Sequence, residues 1–213
     1  MTWTVTSYPE PAAAFHARVP APAPGERLAW VVSPPAPARV LGSAQPDDAA
    51  DRRIAAALGV DVTRRRSGGG AVLVLPGEIV WVDLVVTPDD PLWDDDVARA
   101  MHWVGDTWAA ALGRGAVHRG AMIRTPWSAA VCFAGTGPGE VVDERGAKLV
   151  GISQRRTRSW ARFQTMVHLR WRPELVAALV SPPRPTAEEL AEVTATVSAP
   201  PDVVIESLLS HLP

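Results

Sequence analysis

The sequence contains very little cysteine and lysine, with one residue of each among 213: Cys132 and Lys148. A disulfide within the chain and a zinc site built from cysteines are both excluded, because each needs at least two thiols. All other basic side chains are arginine, a bias that GC-rich coding sequences produce. Coding bias explains why lysine is rare but not why one lysine remains at position 148, so the motifs around it must be considered.

A large excess of one charge and long apolar runs are also lacking. The net charge is −2, which argues against the strongly basic balance of nucleic-acid-binding domains. No apolar run approaches the roughly 20 residues that span a bilayer, and no signal peptide begins the chain. We therefore expect a cytoplasmic protein that binds neither nucleic acid nor a membrane. A length of 213 residues and 47% apolar content predict one globular domain.

The apolar pattern predicts an α+β domain in which helices flank a mixed β-sheet. A Pro76-Gly77 turn predicts that the strands on either side of it form a hairpin. The predicted strands are residues 28–32, 71–75, 79–86, 129–134, 141–142, 149–153 and 163–171. The predicted helices are residues 47–58, 94–112, 174–180, 187–197 and 203–209.

The strongest motif is RRRSGGGAV at residues 64–72. Three successive glycines allow positive φ and close approach of a ligand to the backbone, and arginine offers paired donors to carboxylate or phosphate. The motif is neither a P-loop nor a dinucleotide-binding turn, because no Lys-Ser/Thr and no helix follows it. It predicts either a loop that binds an anionic ligand or a flexible basic surface loop.

Two further segments accompany this motif. The segment GTGPGE, residues 135–140, has a proline inside it and a strand after it. We therefore interpret it as a tight turn that orients the Glu140 side chain. The segment GAKLVGISQRR, residues 146–156, places Lys148 at the entry of a strand, where its ammonium can face a cleft.

In this order, RRRSGGGAV, CFAGTGPGEV and GAKLVGISQRR resemble the catalytic domain of the lipoate–protein ligase A and octanoyltransferase family, which is related to the biotin ligases. The resemblance covers about residues 28–180. It implies a single biotin/lipoate ligase-like catalytic domain over residues 1–213, with a helical C-terminal tail at 181–213 and no second accessory domain.

The resemblance also implies site residues. Lys148 matches the lysine that contacts the acyl carboxylate or the adenylate phosphate, and Glu140 matches an acidic residue near the nucleotide or its magnesium ion. The remaining matches lie in the glycine loop over the acyl adenylate and in the strand after the lysine: Arg65, Ser67, Gly68, Gly69, Gly70, Ala71, Val72, Gly151 and Ser153.

The sequence departs from the family pattern at two places. A histidine usually follows the glycine loop, whereas Val74 or its neighbour stands there. Many members carry a His-Gly step after the lysine strand, whereas this chain has FQTMV at residues 163–167.

Three functions follow from the resemblance. The first is a ligase that activates lipoate or octanoate with ATP and magnesium as an acyl adenylate, then transfers it to a lysine. The second is an ATP-independent octanoyltransferase that takes the acyl group from octanoyl carrier protein onto Cys132, with Lys148 or His118 activating the thiol. The third is a non-catalytic acyl-binding module.

The implied partners are a lipoyl domain of a 2-oxoacid dehydrogenase, the glycine cleavage H protein, or acyl carrier protein. No tightly bound cofactor is expected. A local basic face could steer an acidic partner, and solvated charge is the alternative interpretation. Its members are Arg155, Arg156, Arg158 and Arg162.

Overall fold

The computed structural model describes residues 2–213. The strands are β1 (Trp3–Tyr8), β2 (Arg27–Val32), β3 (Ala38–Leu41), β4 (Asp61–Arg64), β5 (Val72–Val74), β6 (Ile79–Val86), β7 (Ala116–Val117), β8 (Val141–Val142), β9 (Lys148–Arg156) and β10 (Ala161–His168). The helices are α1 (Ala12–Ala17), α2 (Arg52–Ala57), α3 (His102–Leu112), α4 (Pro173–Ala178), α5 (Ala187–Ala191) and α6 (Pro201–Ser210).

A seven-stranded sheet forms the centre, in the order β1-β2-β6-β10-β9-β8-β7. β1 runs parallel to β2, and the other neighbouring strands are antiparallel. Every residue of β6 and β10 is buried, so these two strands form the middle of the core. The prediction of an α+β fold with a mixed sheet flanked by helices is therefore confirmed.

The two faces of this sheet are covered differently. On one face, Trp108 of α3 and Leu208 of α6 pack against Leu84 of β6. On the other face lie α1 and a smaller sheet in the order β4-β3-β5. Val74 of the smaller sheet packs into the same core as Trp81 of β6. The candidate site lies between the two sheets.

The predicted hairpin across Pro76-Gly77 is wrong. The turn itself is present, with Gly77 at φ 74°, but its two strands belong to different sheets. β5 pairs with β3, whereas β6 is hydrogen-bonded to β2 and β10 on its two edges. Because both edges of β6 are occupied, β5 cannot join it.

The two longest predicted helices begin later than expected. Asp51 caps α2 by accepting a hydrogen bond from the Ile54 N–H. Before α3, Asp96 accepts hydrogen bonds from the N–H groups of Ala98 and Arg99, and a 3-10 turn over Arg99–Met101 follows. The aspartates therefore form capping turns that precede the helices, because their side chains compete for backbone N–H groups.

Residues 129–134 do not form the predicted strand. Cys132–Ala134 form a 3-10 helix instead, and this segment has one isolated bridge, from Val131 to Ala71. Val131, Phe133 and Ala134 are buried, whereas Ala129 is exposed, and the backbone at Val131 and Cys132 lies against Gly70 of the glycine loop rather than extending the sheet.

The three helices predicted last in the chain are present as α4, α5 and α6, although α5 is shorter than predicted and ends at Ala191. The predictions omitted β1, α1, β3, β4 and β7, which are short or flanked by proline. No helix within residues 2–213 is long and apolar enough to cross a membrane.

Candidate functional site

The glycine loop connects β4 to β5 and lies directly against the segment that carries Cys132. A Cβ atom on Gly70 would stand 2.7 Å from the Cys132 nitrogen and 2.7 Å from the Val131 carbonyl carbon. Gly69 has a φ of 92°, which a residue with a side chain rarely adopts. These two glycines allow the loop and the Cys132 segment to approach this closely.

Arg65 holds the loop from inside. Its Nη2 donates hydrogen bonds to the carbonyl oxygens of Gly68 at 2.6 Å and Gly70 at 2.8 Å. Burial lowers the pKa of Arg65, and the neighbouring Cys132 and Glu140 oppose that shift. Of the Arg65 guanidinium, only Nε lacks a hydrogen-bond partner within residues 2–213, and the side chain also lines the cavity described below.

Arg64 is likewise bound to backbone carbonyls, at Gly42 and Gln45, and to Asp47. Arg66 is exposed. Two of the three arginines in the motif thus donate hydrogen bonds to backbone carbonyl oxygens of the surrounding turns and so stabilise the loop.

The backbone N–H groups of the loop are available to a ligand. Among the hydrogen bonds between residues 2–213, none is donated by the N–H of Gly68, Gly69 or Gly70. Successive free N–H groups in a turn form a concave site for an anion. The loop can therefore bind a carboxylate or a phosphate through its backbone.

Lys148 is the first residue of β9, and only 1% of its surface is exposed. Its ammonium lies 2.6 Å from a carboxylate oxygen of Glu140 and donates to the carbonyl oxygen of Cys132 at 2.8 Å. The structure thus joins three residues of the predicted site in one buried contact. Because the ammonium binds the carbonyl of Cys132, it orients that segment.

Glu140 is fully engaged within the protein. Its Oε1 accepts from the N–H of Ile152 at 3.0 Å, and its Oε2 accepts from the N–H of Gly137 at 2.6 Å in addition to Lys148. Within residues 2–213, no group of three or more His, Cys, Asp or Glu could hold a metal ion. The expected magnesium ion beside Glu140 therefore does not fit this carboxylate.

An apolar cavity, here called the inner cavity, lies between the two sheets. It holds about 400 Å³ of empty space including its mouth. Gly151 makes room for the Phe133 ring in the cavity wall, because a Cβ there would lie 3.0 Å from that ring. Its apolar wall includes Val72, Val74, Trp81, Phe133, Ile152 and Met166.

A hydrogen-bonded chain of polar side chains forms the opposite wall of the inner cavity. Ser67 Oγ lies 3.0 Å from Ser153 Oγ and donates to Gln164 Oε1 at 2.6 Å. The Gln164 amide nitrogen in turn lies 3.3 Å from His16 Nδ1 and 3.3 Å from an Asp83 carboxylate oxygen. This chain brings Ser67 and Ser153 together, as the motifs imply, and adds three residues that the sequence analysis missed.

His16 is neutral in this wall. Burial, followed by the charges of Arg162 and Arg65, lowers its pKa from 6.5 to about 3. Its ring also packs on Trp81, with centroids 4.9 Å apart. Since Gln164 Nε2 can only donate, His16 Nδ1 accepts and the ring proton resides on Nε2.

Arg162 is not part of an exposed basic face, which corrects that prediction. It is 3% exposed and lies 2.6 Å from Asp83. Burial raises the pKa of Asp83, and the charge of Arg162 opposes that rise. Of the other arginines, Arg158 is exposed, whereas Arg155 and Arg156 are half-buried against Trp160 and Trp93.

A second space, here called the outer cavity, holds about 730 Å³ including its open side. Cys132, Ile152 and Ser153 line both cavities, so the two adjoin at the half-buried Cys132. His118 lines neither and bonds to the Ala121 carbonyl oxygen. The outer cavity is lined by Gly68, Gly69, Gly70, Val97, Met101, Met122, Glu140, Lys148 and Gln154 among others.

Comparisons with known proteins agree with this architecture. The model of the lipoyl protein ligase A/B catalytic domain matches residues 15–201. A bipartite lipoate protein ligase from Thermoplasma acidophilum, solved as part of a lipoylation system with its E2 lipoyl domain, superposes with a TM-score of 0.77. The two are 14% identical, over 99% of this chain and 82% of that one.

Two further solved structures are similar. A T. acidophilum protein with bound lipoic acid has a TM-score of 0.74 and 14% identity, over 99% of this chain and 83% of that one. A lipoate-protein ligase A bound with ATP has a TM-score of 0.63 and 18% identity, over 87% of this chain and 71% of that one. No curated protein sequence matches the chain.

Proposed function

Because the chain belongs to the family of lipoyl protein ligase A/B catalytic domains, we propose that it activates lipoate or octanoate with ATP and transfers the acyl group to a protein lysine. One observation carries this proposal: an apolar cavity adjoins a second cavity lined by Lys148 and by three glycines whose N–H groups donate no hydrogen bond within residues 2–213. This arrangement suits an apolar acid whose carboxylate must meet a phosphate.

We place the acyl chain in the inner cavity, against Val72, Trp81 and Met166, and its carboxylate near Cys132 where the cavities adjoin. The N–H groups of Gly68, Gly69 and Gly70 then face the carboxylate and the nucleotide phosphate. Similar structures were solved with bound lipoic acid and with bound ATP, which supports an acyl acid and a nucleotide as ligands.

In the first step, a carboxylate oxygen of the acid attacks the α-phosphorus of ATP and pyrophosphate leaves. In the second, the amine of the acceptor lysine attacks the acyl carbon, AMP leaves, and the amine loses a proton. Lys148 and the loop N–H groups lie where negative charge develops, and preorganised donors of this kind lower the barrier electrostatically. Magnesium enters as part of the ATP co-substrate, without a protein carboxylate such as Glu140 as its ligand.

The proposed acceptor is a lysine of a lipoyl domain, either from a 2-oxoacid dehydrogenase or as the glycine cleavage H protein. The similar T. acidophilum ligase was studied with its own E2 lipoyl domain, which supports a partner of this kind.

The position of Cys132 favours a second candidate function, ATP-independent octanoyl transfer. The residue is half-buried and lines both cavities. In that reaction the Cys132 thiolate attacks the thioester of octanoyl carrier protein and the carrier thiol leaves. The acceptor amine then attacks the new thioester and releases the thiolate.

A single pair of assays tests the proposal. Wild-type protein and Cys132→Ala are incubated with a lipoyl domain and either octanoate, ATP and magnesium or octanoyl carrier protein alone. The ligase proposal predicts ATP-dependent octanoylation that survives in Cys132→Ala. Transfer without ATP that is lost in Cys132→Ala would establish the transferase instead, and tight octanoate binding with neither activity would indicate a binding module.

A further inference from the structure

The polar wall of the inner cavity directs its protons one after another along a single chain of hydrogen bonds. The Asp83 carboxylate, ion-paired as described above, only accepts, so the Gln164 amide nitrogen faces it and the Gln164 oxygen faces Ser67. Ser67 therefore donates to Gln164, and Ser153 donates to Ser67. Gln164 uses one N–H on Asp83 and the other on His16 Nδ1. Every proton of this wall except the one on His16 Nε2 is thus bound within the protein.

The other side-chain donors around the inner cavity already have acceptors. Trp81 Nε1 donates to a carboxylate oxygen of Asp83 at 2.6 Å, and the Thr165 hydroxyl donates to a backbone carbonyl oxygen. The Nη groups of Arg65 donate to backbone carbonyl oxygens, and its Nε is sealed from solvent. The Cys132 thiol, at the junction with the outer cavity, is only a weak donor. One strong donor therefore remains for a ligand, on the histidine of the wall.

His16 carries that remaining donor. The residue is 7% exposed and lines the inner cavity. Its Nε2 has no hydrogen-bond partner within residues 2–213, and it is not sealed from solvent as the Nε of Arg65 is. A ligand that covers this N–H without accepting from it removes its water partner, which lowers the affinity.

The donor lies away from the junction of the two cavities. Ser153, Gln164 and Asp83 stand opposite one another on β9, β10 and β6. Ser153 lies at the junction, where the carboxylate of the acid is placed. His16 contacts Gln164 of β10 and packs on Trp81 of β6, so it lies one to two strand spacings, about 5–10 Å, from Ser153. Its N–H therefore meets the distal half of an acyl chain.

We propose that His16 selects acids that carry a carbonyl oxygen in the distal half of the chain over the plain octanoyl chain. This inference rests on the proposed function, which places an acid in the inner cavity. A carbonyl oxygen accepts from Nε2 and brings no proton that needs a partner of its own, unlike a hydroxyl. A second carboxylate would bring a charge whose burial is costly. Trp81 and Met166, on the apolar side of the cavity, contact the rest of the chain.

Calorimetry without ATP tests this selection on four acids: octanoate and its ketones at the third, sixth and seventh carbons. Wild type should bind at least one of the two distal ketones about 10-fold more tightly than octanoate. The ketone at the third carbon lies near the carboxylate and should gain nothing.

His16→Phe keeps an aromatic ring against Trp81 but has no N–H. It should bind octanoate at least as tightly as wild type does and lose the preference for the distal ketone. Met166→Leu, the matched control in the apolar wall, should change the affinities for octanoate and the distal ketones by the same factor.

The infrared stretch of the isotope-labelled distal ketone gives a second readout that needs no variant. In wild type it should lie at lower wavenumber than in an apolar solvent, and together with the wild-type affinities it decides the matter if His16→Phe does not fold. The inference is overturned if neither distal ketone binds more tightly than octanoate, if His16→Phe keeps the preference, or if the stretch matches that in the apolar solvent. Formation of octanoyl-AMP by wild type would then leave the proposed function intact. If wild type binds none of the acids and forms no adenylate, both the selection and the proposed function fail.

Discussion

Replacing Lys148 with methionine separates its structural role from its chemical one. The ammonium is 1% exposed and is paired with Glu140, which is 3% exposed. Lys148→Met therefore leaves a buried carboxylate whose remaining partners are the N–H groups of Ile152 and Gly137. Removing one partner of a buried pair costs about 3–5 kcal/mol. That is a large share of the roughly 5–15 kcal/mol that stabilises a typical domain.

The double variant Lys148→Met, Glu140→Gln removes the stranded charge. In that variant the amide NH₂ of the introduced glutamine faces a backbone N–H, so two donors meet. This mismatch lowers the free energy of unfolding by about 1–3 kcal/mol. The double variant should therefore be about 2 kcal/mol more stable than the single variant in urea unfolding at 15 °C. Its rate of acyl-adenylate formation should remain at least about 10²-fold below wild type, because the preorganised cation is missing.

Arg158→Met is the matched control, because it removes an exposed cation and should change the free energy of unfolding by less than about 0.5 kcal/mol. The reasoning is refuted if Lys148→Met costs less than about 1 kcal/mol, well below the range for a broken buried pair. It is also refuted if the double variant recovers the wild-type rate, since Lys148 would then act only through the fold.

Three other predictions concern the loop, the inner cavity and the pH dependence. Gly70→Ala should lower the adenylation rate more than tenfold, since its Cβ would stand 2.7 Å from backbone atoms of the Cys132 segment. Gly70→Ala should also lower the free energy of unfolding, whereas Gly68→Ala, whose Cβ meets no protein atom within 4 Å, should leave it near wild type; equal losses of stability would contradict the packing described. Gln164→Leu breaks the polar wall and should weaken lipoate binding in calorimetry, whereas unchanged affinity would show that this wall does not bear on the ligand. His168 has its pKa lowered from 6.5 to about 4, chiefly by burial. The unfolded chain therefore binds more protons between these values, so this residue lowers the free energy of unfolding by about 1.4 kcal/mol for each unit by which the pH drops. His168→Phe should flatten urea-unfolding stability between pH 6 and 4.5 by that slope, and parallel curves would rule the argument out.

The sequence predicts well those features that local pattern controls. β6 and β10 are continuous apolar runs, and a strand buried on both faces has that composition. The order of the three motifs also predicts a site that contains the glycine loop, Glu140 and Lys148. The structure brings Lys148, Glu140 and the Cys132 carbonyl together, although the ion pair itself has no local signature.

Contacts between distant segments could not be predicted in the same way. His16 and Gln164 are 148 positions apart, and α1 is too short and too closely flanked by proline to stand out. One signal was available: Arg162, Gln164 and His168 fall at even positions of β10, whose other residues are apolar except Thr165, and this places polar groups on one buried face.

Predictions from local charge and apolar pattern were also wrong where tertiary contacts decide the conformation. Arg65 belongs to a run of three arginines that resembles a solvated patch, yet its side chain is buried because it donates hydrogen bonds to the loop carbonyl oxygens. Residues 129–134 have the composition of a strand, but they form a turn because the chain must meet Gly70. Neither outcome follows from periodicity, since each depends on a surface that only the fold assembles.

The most direct test of the proposed function is mass-spectrometric detection of the acyl adenylate. Wild-type protein is incubated with octanoate, ATP and magnesium in the absence of any acceptor, and octanoyl-AMP and pyrophosphate are quantified together. The proposed function predicts equal amounts of both products from wild type and almost none from the Lys148→Met, Glu140→Gln variant. It is contradicted if wild type forms no octanoyl-AMP while it octanoylates a lipoyl domain from the carrier protein alone.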